Sequence, residues 1–140
     1  YGKGKKIIVF LIKNPTGANE VLKILSLKKC LNLVIALNDK LADGTDISWI
    51  WDTDWELLNK NIKSVFATGL RAFDMAIRLK YAGIDLNNNN IHEDISYSIK
   101  AALNNMGNDD TLIILPTYTA LLEVQKFIHK KTKSLKWQEQ

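Results

Sequence analysis

The residues with the most evident chemistry lie between positions 37 and 56. This segment holds six of the fifteen acidic residues of a chain whose net charge is +4, and three of its four tryptophans. The acids are Asp39, Asp43, Asp46, Asp52, Asp54 and Glu56, and the tryptophans are Trp49, Trp51 and Trp55. Carboxylates so close in sequence repel one another, so they must stay hydrated, meet cations or meet hydrogen-bond donors.

Tryptophans beside carboxylates are typical of a surface that becomes buried on assembly, because indole supplies a large apolar area and one N–H donor. We therefore predict that this segment contacts a partner protein. A simpler interpretation stays open, in which residues 43–46 form only a tight turn and Arg71 pairs with Asp74 as i, i+3 neighbours on a helix. Thr53 and Glu56 have the spacing of a capping box, which predicts a short helix there.

The elements that position these residues follow from hydrophobic patterning. Buried strands and amphipathic helices alternate, which predicts an α/β fold, a three-layer Rossmann-like domain with a mainly parallel sheet. Strands are predicted at residues 6–12, 31–37, 62–67 and 111–115, the first buried on both faces, with a very short strand at 83–84. Helices are predicted at residues 16–27, 70–81, 90–106 and 117–130. Thr16 is the predicted cap of the first helix and Asn90 that of the third. The second helix has its apolar face at Leu70, Phe73, Ala76, Ile77 and Tyr81.

The unusual loops all follow a predicted strand, at residues 13–17, 38–54, 68–71 and 116–119. The carboxyl ends of parallel strands meet at one edge of a sheet, and ligands bind there. We therefore expect these four loops to lie together and to form the functional site.

Composition limits the possibilities. The 140 residues, 46% hydrophobic and 24% charged, are predicted to form a single domain, 1–140, in a chain that is a fragment of something longer. No apolar run approaches the length of a membrane span, and no signal peptide is predicted from these residues. The lone Cys30 excludes an internal disulfide and fits a reducing cytosol. Lysines cluster near both ends of the chain. They form either a hydrated basic face or a surface that attracts phosphates or anionic lipid.

Several chemistries are disfavoured by the residues. No phosphate-binding loop of the Walker type is present. Cys30 is expected to be a small apolar residue at the entrance of a strand, and His92 and His129, both predicted on helices, lack metal-ligand spacing, so no metal site is predicted. Residues 49–54 resemble the strand and Asp-x-Asp motif of haloacid-dehalogenase phosphatases, although Glu56 stands where that family has Thr or Val.

A resemblance covers almost the whole chain. It is carried by Lys13-Asn-Pro-Thr-Gly-Ala-Asn-Glu20, Ala36-Leu-Asn-Asp39, Ala42-Asp-Gly-Thr-Asp-Ile-Ser-Trp-Ile-Trp-Asp52, Thr68-Gly-Leu-Arg-Ala72, Asp74-Met-Ala-Ile-Arg-Leu-Lys-Tyr-Ala-Gly83 and Leu115-Pro-Thr-Tyr-Thr-Ala-Leu-Leu-Glu123. In this order the blocks resemble the C-terminal domain of the Mur-ligase-like subunit (MurT) of lipid II isoglutaminyl synthase. Asn14 and Pro15 keep part of the Mur ligase pattern after the first strand, but its histidine is absent, which is consistent with ammonia as the incoming nucleophile.

The resemblance implies one subunit of a cytoplasmic heterodimer that acts in peptidoglycan synthesis at the inner face of the membrane. The partner glutaminase (GatD-type) releases ammonia from glutamine. The Mur-like subunit uses ATP and Mg²⁺, bound mainly by a central domain outside this chain, to amidate the α-carboxylate of D-glutamate in lipid II to D-isoglutamine. Neither nucleic acid nor a membrane span is implied, and the isolated fragment is expected to be inactive.

The resemblance also implies roles for particular residues. An aspartate of this domain completes the partner's Cys–His site, with Asp46 the first choice and Asp43 the second. The cleft facing substrate and nucleotide is expected at Asn14, Thr16, Asn38, Asp39 and Arg71, and the partner interface at Trp49, Trp51 and Tyr118. Two other functions stay open, a non-catalytic module that only docks a partner and, less favoured, the phosphatase.

Overall fold

A five-stranded parallel sheet organises the chain. The computed structural model describes residues 4–138, with side chains for 4–131. The strands are β1 (Lys6–Val9), β2 (Leu31–Ala36), β3 (Ile62–Thr68), β4 (Ile91–His92) and β5 (Thr111–Pro116). They are ordered β1-β5-β2-β3-β4, and every neighbouring pair is parallel. The predicted α/β class is confirmed.

Helices cover both faces of the sheet and make it a three-layer structure. They are α1 (Pro15–Leu25), α2 (Ala72–Tyr81), α3 (Ile95–Asn105) and α4 (Tyr118–Gln138). Residues of α1 and α2 belong to the core on one face, and residues of α3 and α4 to the core on the other. β2 lies in the middle of the sheet, and all six of its residues are buried. This burial explains its continuous apolar sequence.

Local hydrogen bonds set the helix starts, and two predicted caps are wrong. The Asn14 side chain, and not Thr16, caps α1 by accepting a hydrogen bond from the Gly17 amide (2.9 Å). Asp94 caps α3 through the Tyr97 amide (3.2 Å). Asn90 does not cap α3: it directly precedes the short strand β4, and its side-chain amide donates to the Val65 carbonyl (3.0 Å).

The first strand lies at an edge of the sheet and has no fully buried residue, which corrects the prediction that it is buried on both faces. Among the described strands, β1 pairs with β5 alone, and Ile8 is 42% exposed. Apolar residues at an edge give the same sequence signal as a buried strand, so composition did not separate the two. The predicted strand at residues 83–84 is also wrong, since that segment has no strand in the described structure. Gly83 does end α2, with a φ of +86°.

The connection from β2 to β3 contains three short 3₁₀ turns where many parallel folds have a helix. We name them η1 (Leu41–Asp43), η2 (Ser48–Asp52) and η3 (Trp55–Leu58). Ile50, Trp55 and Leu58 are fully buried in the core shared with α1 and α2. The Trp55 indole donates to the Ile50 carbonyl (3.1 Å). Part of the unusual composition of this segment is therefore core packing.

The predicted capping box is wrong. The Thr53 hydroxyl donates to the Trp49 carbonyl, and the Glu56 carboxylate pairs with Arg78 of α2. Arg78 is only 5% exposed, and its guanidinium also donates to the carbonyls of Ile50 (2.9 Å) and Thr53 (2.8 Å). A buried guanidinium requires such partners. Arg78 therefore holds η2 and η3 against α2.

The face of α2 that packs on the sheet also differs from the prediction. Of the predicted apolar face only Ala76 is buried, whereas the residues that face the core are Ala72, Met75, Ala76, Arg78 and Leu79. Phe73, Ile77 and Tyr81 are 59%, 51% and 75% exposed. The helix carries apolar side chains on two faces, and periodicity alone cannot tell which of them meets the sheet.

We predict that Trp55→Ala destabilises the domain by about 3–5 kcal/mol, because it removes a fully buried indole and leaves a cavity. The matched control is Trp51→Ala, where the indole is 49% exposed and the expected loss is about 1 kcal/mol or less. Urea unfolding of the two variants measures both values. Equal losses would contradict the assignment of Trp55 to the core.

Candidate functional site

The four loops that follow β1, β2, β3 and β5 meet at the carboxyl edge of the sheet, as predicted. Backbone hydrogen bonds join neighbouring loops across this edge. The Ile12 amide donates to the Pro116 carbonyl (3.0 Å), the Thr117 amide to the Ala36 carbonyl (3.0 Å), and the Arg71 amide to the Leu37 carbonyl (2.9 Å). These bonds make the edge one connected surface.

Asn38 lies at the centre of this edge. It is 2% exposed, its amide nitrogen Nδ2 donates to the Thr119 hydroxyl (3.0 Å), and its Oδ1 accepts from the Leu70 amide (2.9 Å). Gly69 passes so close that a Cβ there would lie 2.6 Å from the Leu37 carbonyl oxygen, and its φ is +94°. Only glycine fits such a position without strain. Asn38, predicted to line a cleft, is buried and uses its side chain to join three loops.

Asp43 is tied to the start of α4. Its carboxylate accepts hydrogen bonds from the Thr119 amide (2.7 Å), from the Thr119 hydroxyl and from the Lys40 amide (3.0 Å). A carboxylate is favoured at this place because the free amides and the dipole of a helix N-terminus attract negative charge. The side chain of Asp43 is therefore engaged within the domain.

Asp46, three residues further on, is differently placed. It is exposed, and its carboxylate accepts from the Ser48 amide (2.9 Å). Hydrogen bonds from the backbone and side chain of Ser48 lower the pKa of Asp46 below its ordinary value, so it is ionised at neutral pH. Among residues 4–131 Asp46 is in no salt bridge. Of the two candidate aspartates, Asp46 is the more exposed and the less engaged within the domain.

Arg71 bridges two carboxylates beside this edge. Its guanidinium donates to Asp39 (2.8 Å) and to Asp74 (2.7 Å), so the expected i, i+3 pair is present together with a second partner. Arg71 lowers the pKa of Asp74, and the two carboxylates, Asp74 first, raise that of Arg71. Asp39, Arg71 and Asp74 therefore form a partly exposed ion network beside the carboxyl edge of the sheet.

The remaining predicted site residues lie at the surface to different degrees. Asn14 and Thr16 are exposed at the start of α1, and Tyr118 is 47% exposed at the start of α4. The Trp51 ring lies 5.6 Å from that of Tyr81 and under the Arg78 guanidinium (5.3 Å). Trp49 is partly buried and packs against the core, so Trp51 is the more available of the two tryptophans.

The phosphatase interpretation is contradicted by local structure. The residues expected to form its catalytic strand are the 3₁₀ turn η2, which ends at Asp52. Asp52 and Asp54 are exposed and do not follow a strand. No group of three His, Cys, Asp or Glu side chains suited to a metal occurs in the part of the chain that the structure describes.

Two residues weighed for other chemistry are placed differently from the prediction. Cys30 is exposed and has a φ of +57°, and so does not pack as a small apolar residue. His92 lies in β4 and not on a helix; its Nδ1 accepts from the Asp94 amide (3.0 Å), and its ring lies 4.4 Å from that of Tyr97.

Thr117 and Thr119 organise this edge, although only the loop that contains them was predicted to belong to the site. The Thr117 hydroxyl accepts a hydrogen bond from the backbone amide of Asn38 (3.0 Å). The Thr119 hydroxyl joins the Asn38 side chain to the Asp43 carboxylate. The available signal was the pair of hydroxyl residues directly after a buried strand. Such residues bond local backbone and caps.

Together, the parallel sheet, its covered faces and the loops at its carboxyl edge define an α/β domain of the Mur ligase C-terminal class. The sequence matches the family described as MurT ligase C-terminal over residues 11–121. It is 37% identical over 119 residues to the lipid II isoglutaminyl synthase (glutamine-hydrolyzing) subunit MurT of Staphylococcus aureus strains COL and N315, a match that covers 84% of this chain and 26% of the relative. It is 34% identical over 128 residues to the same subunit of Streptococcus pneumoniae R6, covering 89% of this chain and 28% of the relative.

The chain therefore belongs to the MurT ligase C-terminal family. It spans about a quarter of the length of the curated relatives that it matches. Within the described residues, no helix combines the length and apolar character needed to cross a bilayer.

We predict that Thr119→Val lowers the free energy of unfolding by about 1–3 kcal/mol, because the Asp43 carboxylate and the Asn38 side-chain amide each lose a hydrogen-bond partner at a partly buried place. The control Thr45→Val makes the same chemical change at an exposed residue of the loop and should cost at most about 0.5 kcal/mol. Denaturant unfolding measures the difference. A Thr119→Val variant as stable as the control would show that this network contributes nothing.

Proposed function

We propose that this chain is the C-terminal domain of the Mur-ligase-like subunit of a lipid II isoglutaminyl synthase, and that Asp46 completes the active site of a separate glutaminase subunit. The single observation that carries the proposal is the contrast between the two candidate aspartates. The Asp43 carboxylate accepts hydrogen bonds from Thr119. Asp46 is ionised and exposed, and it lies three residues beyond Asp43, the residue that fixes the loop to α4.

An ionised carboxylate can do one part of cysteine-based glutamine hydrolysis. Held against a histidine ring, it fixes the tautomer that accepts the thiol proton and stabilises the imidazolium that results. Asp46 meets the two requirements of this role, because its pKa is lowered and its side chain is not committed to a cation of its own domain within the described residues. The nucleophile and the base would come from the partner, since Cys30 directly precedes β2 and so lies at the opposite edge of the sheet from the proposed site.

Asp43 has a different proposed role. Three hydrogen bonds hold its carboxylate to Thr119 and Lys40, so it cannot turn toward a partner without breaking the base of the loop. We propose that Asp43 positions Asp46 and is not itself the orienting carboxylate. Gly44, whose φ is +86°, allows the chain to turn between the two.

The ATP and Mg²⁺ that the resemblance implies do not fit the residues of this domain as a complete site. Asp39 and Asp74 are taken up by Arg71, and no other cluster of cation ligands occurs among the described residues. We propose that nucleotide and cation are held mainly by the rest of the full-length subunit, and that Asn14, Thr16 and Arg71 face it across the cleft. Lipid II would be amidated there, at the cytoplasmic side of the membrane.

Asp46→Asn in the full-length subunit should leave the heterodimer intact and lower glutamine hydrolysis by roughly 10⁴-fold, because the amide cannot stabilise an imidazolium and favours the wrong tautomer. The matched control is Asp52→Asn, which removes the same charge from another exposed acid of the segment and should retain nearly full turnover. Glutamate release and size-exclusion chromatography measure the two properties.

Undiminished hydrolysis in an intact Asp46→Asn complex would reject the proposal. It would favour the alternative in which this domain docks the partner without contributing to its chemistry. Normal hydrolysis with lost ligation of ammonia would instead move the role of Asp46 to the ligase half of the reaction.

A further inference from the structure

Leu41 is unusually exposed for a large apolar residue. It is 90% exposed at the start of η1. A leucine in a mobile loop would need no explanation. Leu41 is instead two residues from Asp43, whose hydrogen bonds to Thr119 fix the turn against α4. The domain therefore holds this side chain in water at a defined place.

Two further apolar side chains are exposed on the element to which η1 is fixed. Tyr118 and Leu122 are 47% and 41% exposed, and they are four residues apart on α4, so they share one helix face. Tyr118 directly precedes Thr119, the residue bonded to Asp43. We call Leu41, Tyr118 and Leu122 the Leu41 patch.

The Leu41 patch lies beside an unpaired negative charge. Gly44 and Thr45 are all that separate the fixed end of η1 from Asp46. Asp46 is ionised and is in no salt bridge with any described residue. An apolar surface next to such a carboxylate is complementary to a partner that presents a cationic donor surrounded by apolar side chains. Closing that surface would exclude water and strengthen the contact between carboxylate and cation.

We propose that the Leu41 patch is the docking surface for the subunit whose histidine receives Asp46. This inference rests on the proposed function and adds to it the side from which the partner approaches. The partner would place apolar side chains over Leu41, Tyr118 and Leu122, and its imidazole over Asp46. Leu41 has the role of the buried anchor, because nearly all of its surface is available to be covered.

The outer face of α2 offers a matched comparison. Phe73 and Ile77 are also exposed apolar residues, 59% and 51%, but α2 packs on the opposite face of the sheet from α4. A partner attracted by exposed apolar area alone would favour α2. A partner that must also reach Asp46 from the α4 side would favour the Leu41 patch.

The test compares two double variants in the full-length subunit, Leu41→Asn/Leu122→Asn and Phe73→Asn/Ile77→Asn, neither of which changes the net charge. Binding to the glutaminase subunit is measured by titration calorimetry and glutamine hydrolysis by glutamate release. We expect the first pair to raise Kd by about tenfold or more, as loss of an anchor does, and the second by less than about twofold. The single variant Leu41→Asn, at a 90% exposed position, covers the case in which a double variant fails to fold.

Unchanged binding in Leu41→Asn/Leu122→Asn, or a larger loss in the α2 pair, overturns the docking surface. Asp46→Asn then separates the two proposals. If it abolishes hydrolysis while the patch variants bind normally, the function stands and the partner docks elsewhere. If it leaves hydrolysis intact while the patch variants lose binding, the docking surface stands and the proposed role of Asp46 falls.

Discussion

The hydrogen-bond network among Asn38, Thr119 and Asp43 is the interaction on which the site depends. A parallel sheet brings the ends of its strands together, but it does not fix the conformation of a long loop that leaves one of them. Asn38 joins the loop after β2 to those after β3 and β5, and Asp43 fixes the loop a second time at the start of α4. Breaking the network would expose partners that are costly to leave unbonded, so the loop base is held in one arrangement.

The segment between β2 and β3 has two physical roles in one stretch of chain. Its second half supplies core: Ile50 and Trp55 are fully buried, and Arg78 holds the turns that carry them against α2. Its first half leaves the sheet edge and exposes Asp46. Anchoring at both ends means that the exposed loop loses little conformational entropy when a partner binds, which favours association.

Four of the five strands, the α/β class and the convergence of four loops were predictable, because long apolar runs and parallel topology leave few alternatives. The two-residue strand β4 has no such run and was not predicted. The individual side chains were less predictable. Trp55 and Trp51 lie in the same segment, yet the first is fully buried and the second is half-exposed, since only tertiary packing decides which indole enters the core. The exposed face of α2 was mistaken for its buried face because both are apolar. Asn38 and Asp43 were predicted as site residues. Their hydrogen-bond partner, Thr119, lies about eighty positions further along the chain, and a single sequence does not reveal such a pairing.

The structure of the full-length subunit bound to its glutaminase is the most direct measurement of the central claim, that a fixed loop lends a carboxylate to another protein. We expect an Asp46 oxygen about 2.6–3.2 Å from a ring nitrogen of a histidine in the partner subunit, with Asp43 still bonded to Thr119. A complex in which Asp46 faces solvent, or in which Asp43 has left Thr119 to reach that histidine, would contradict it.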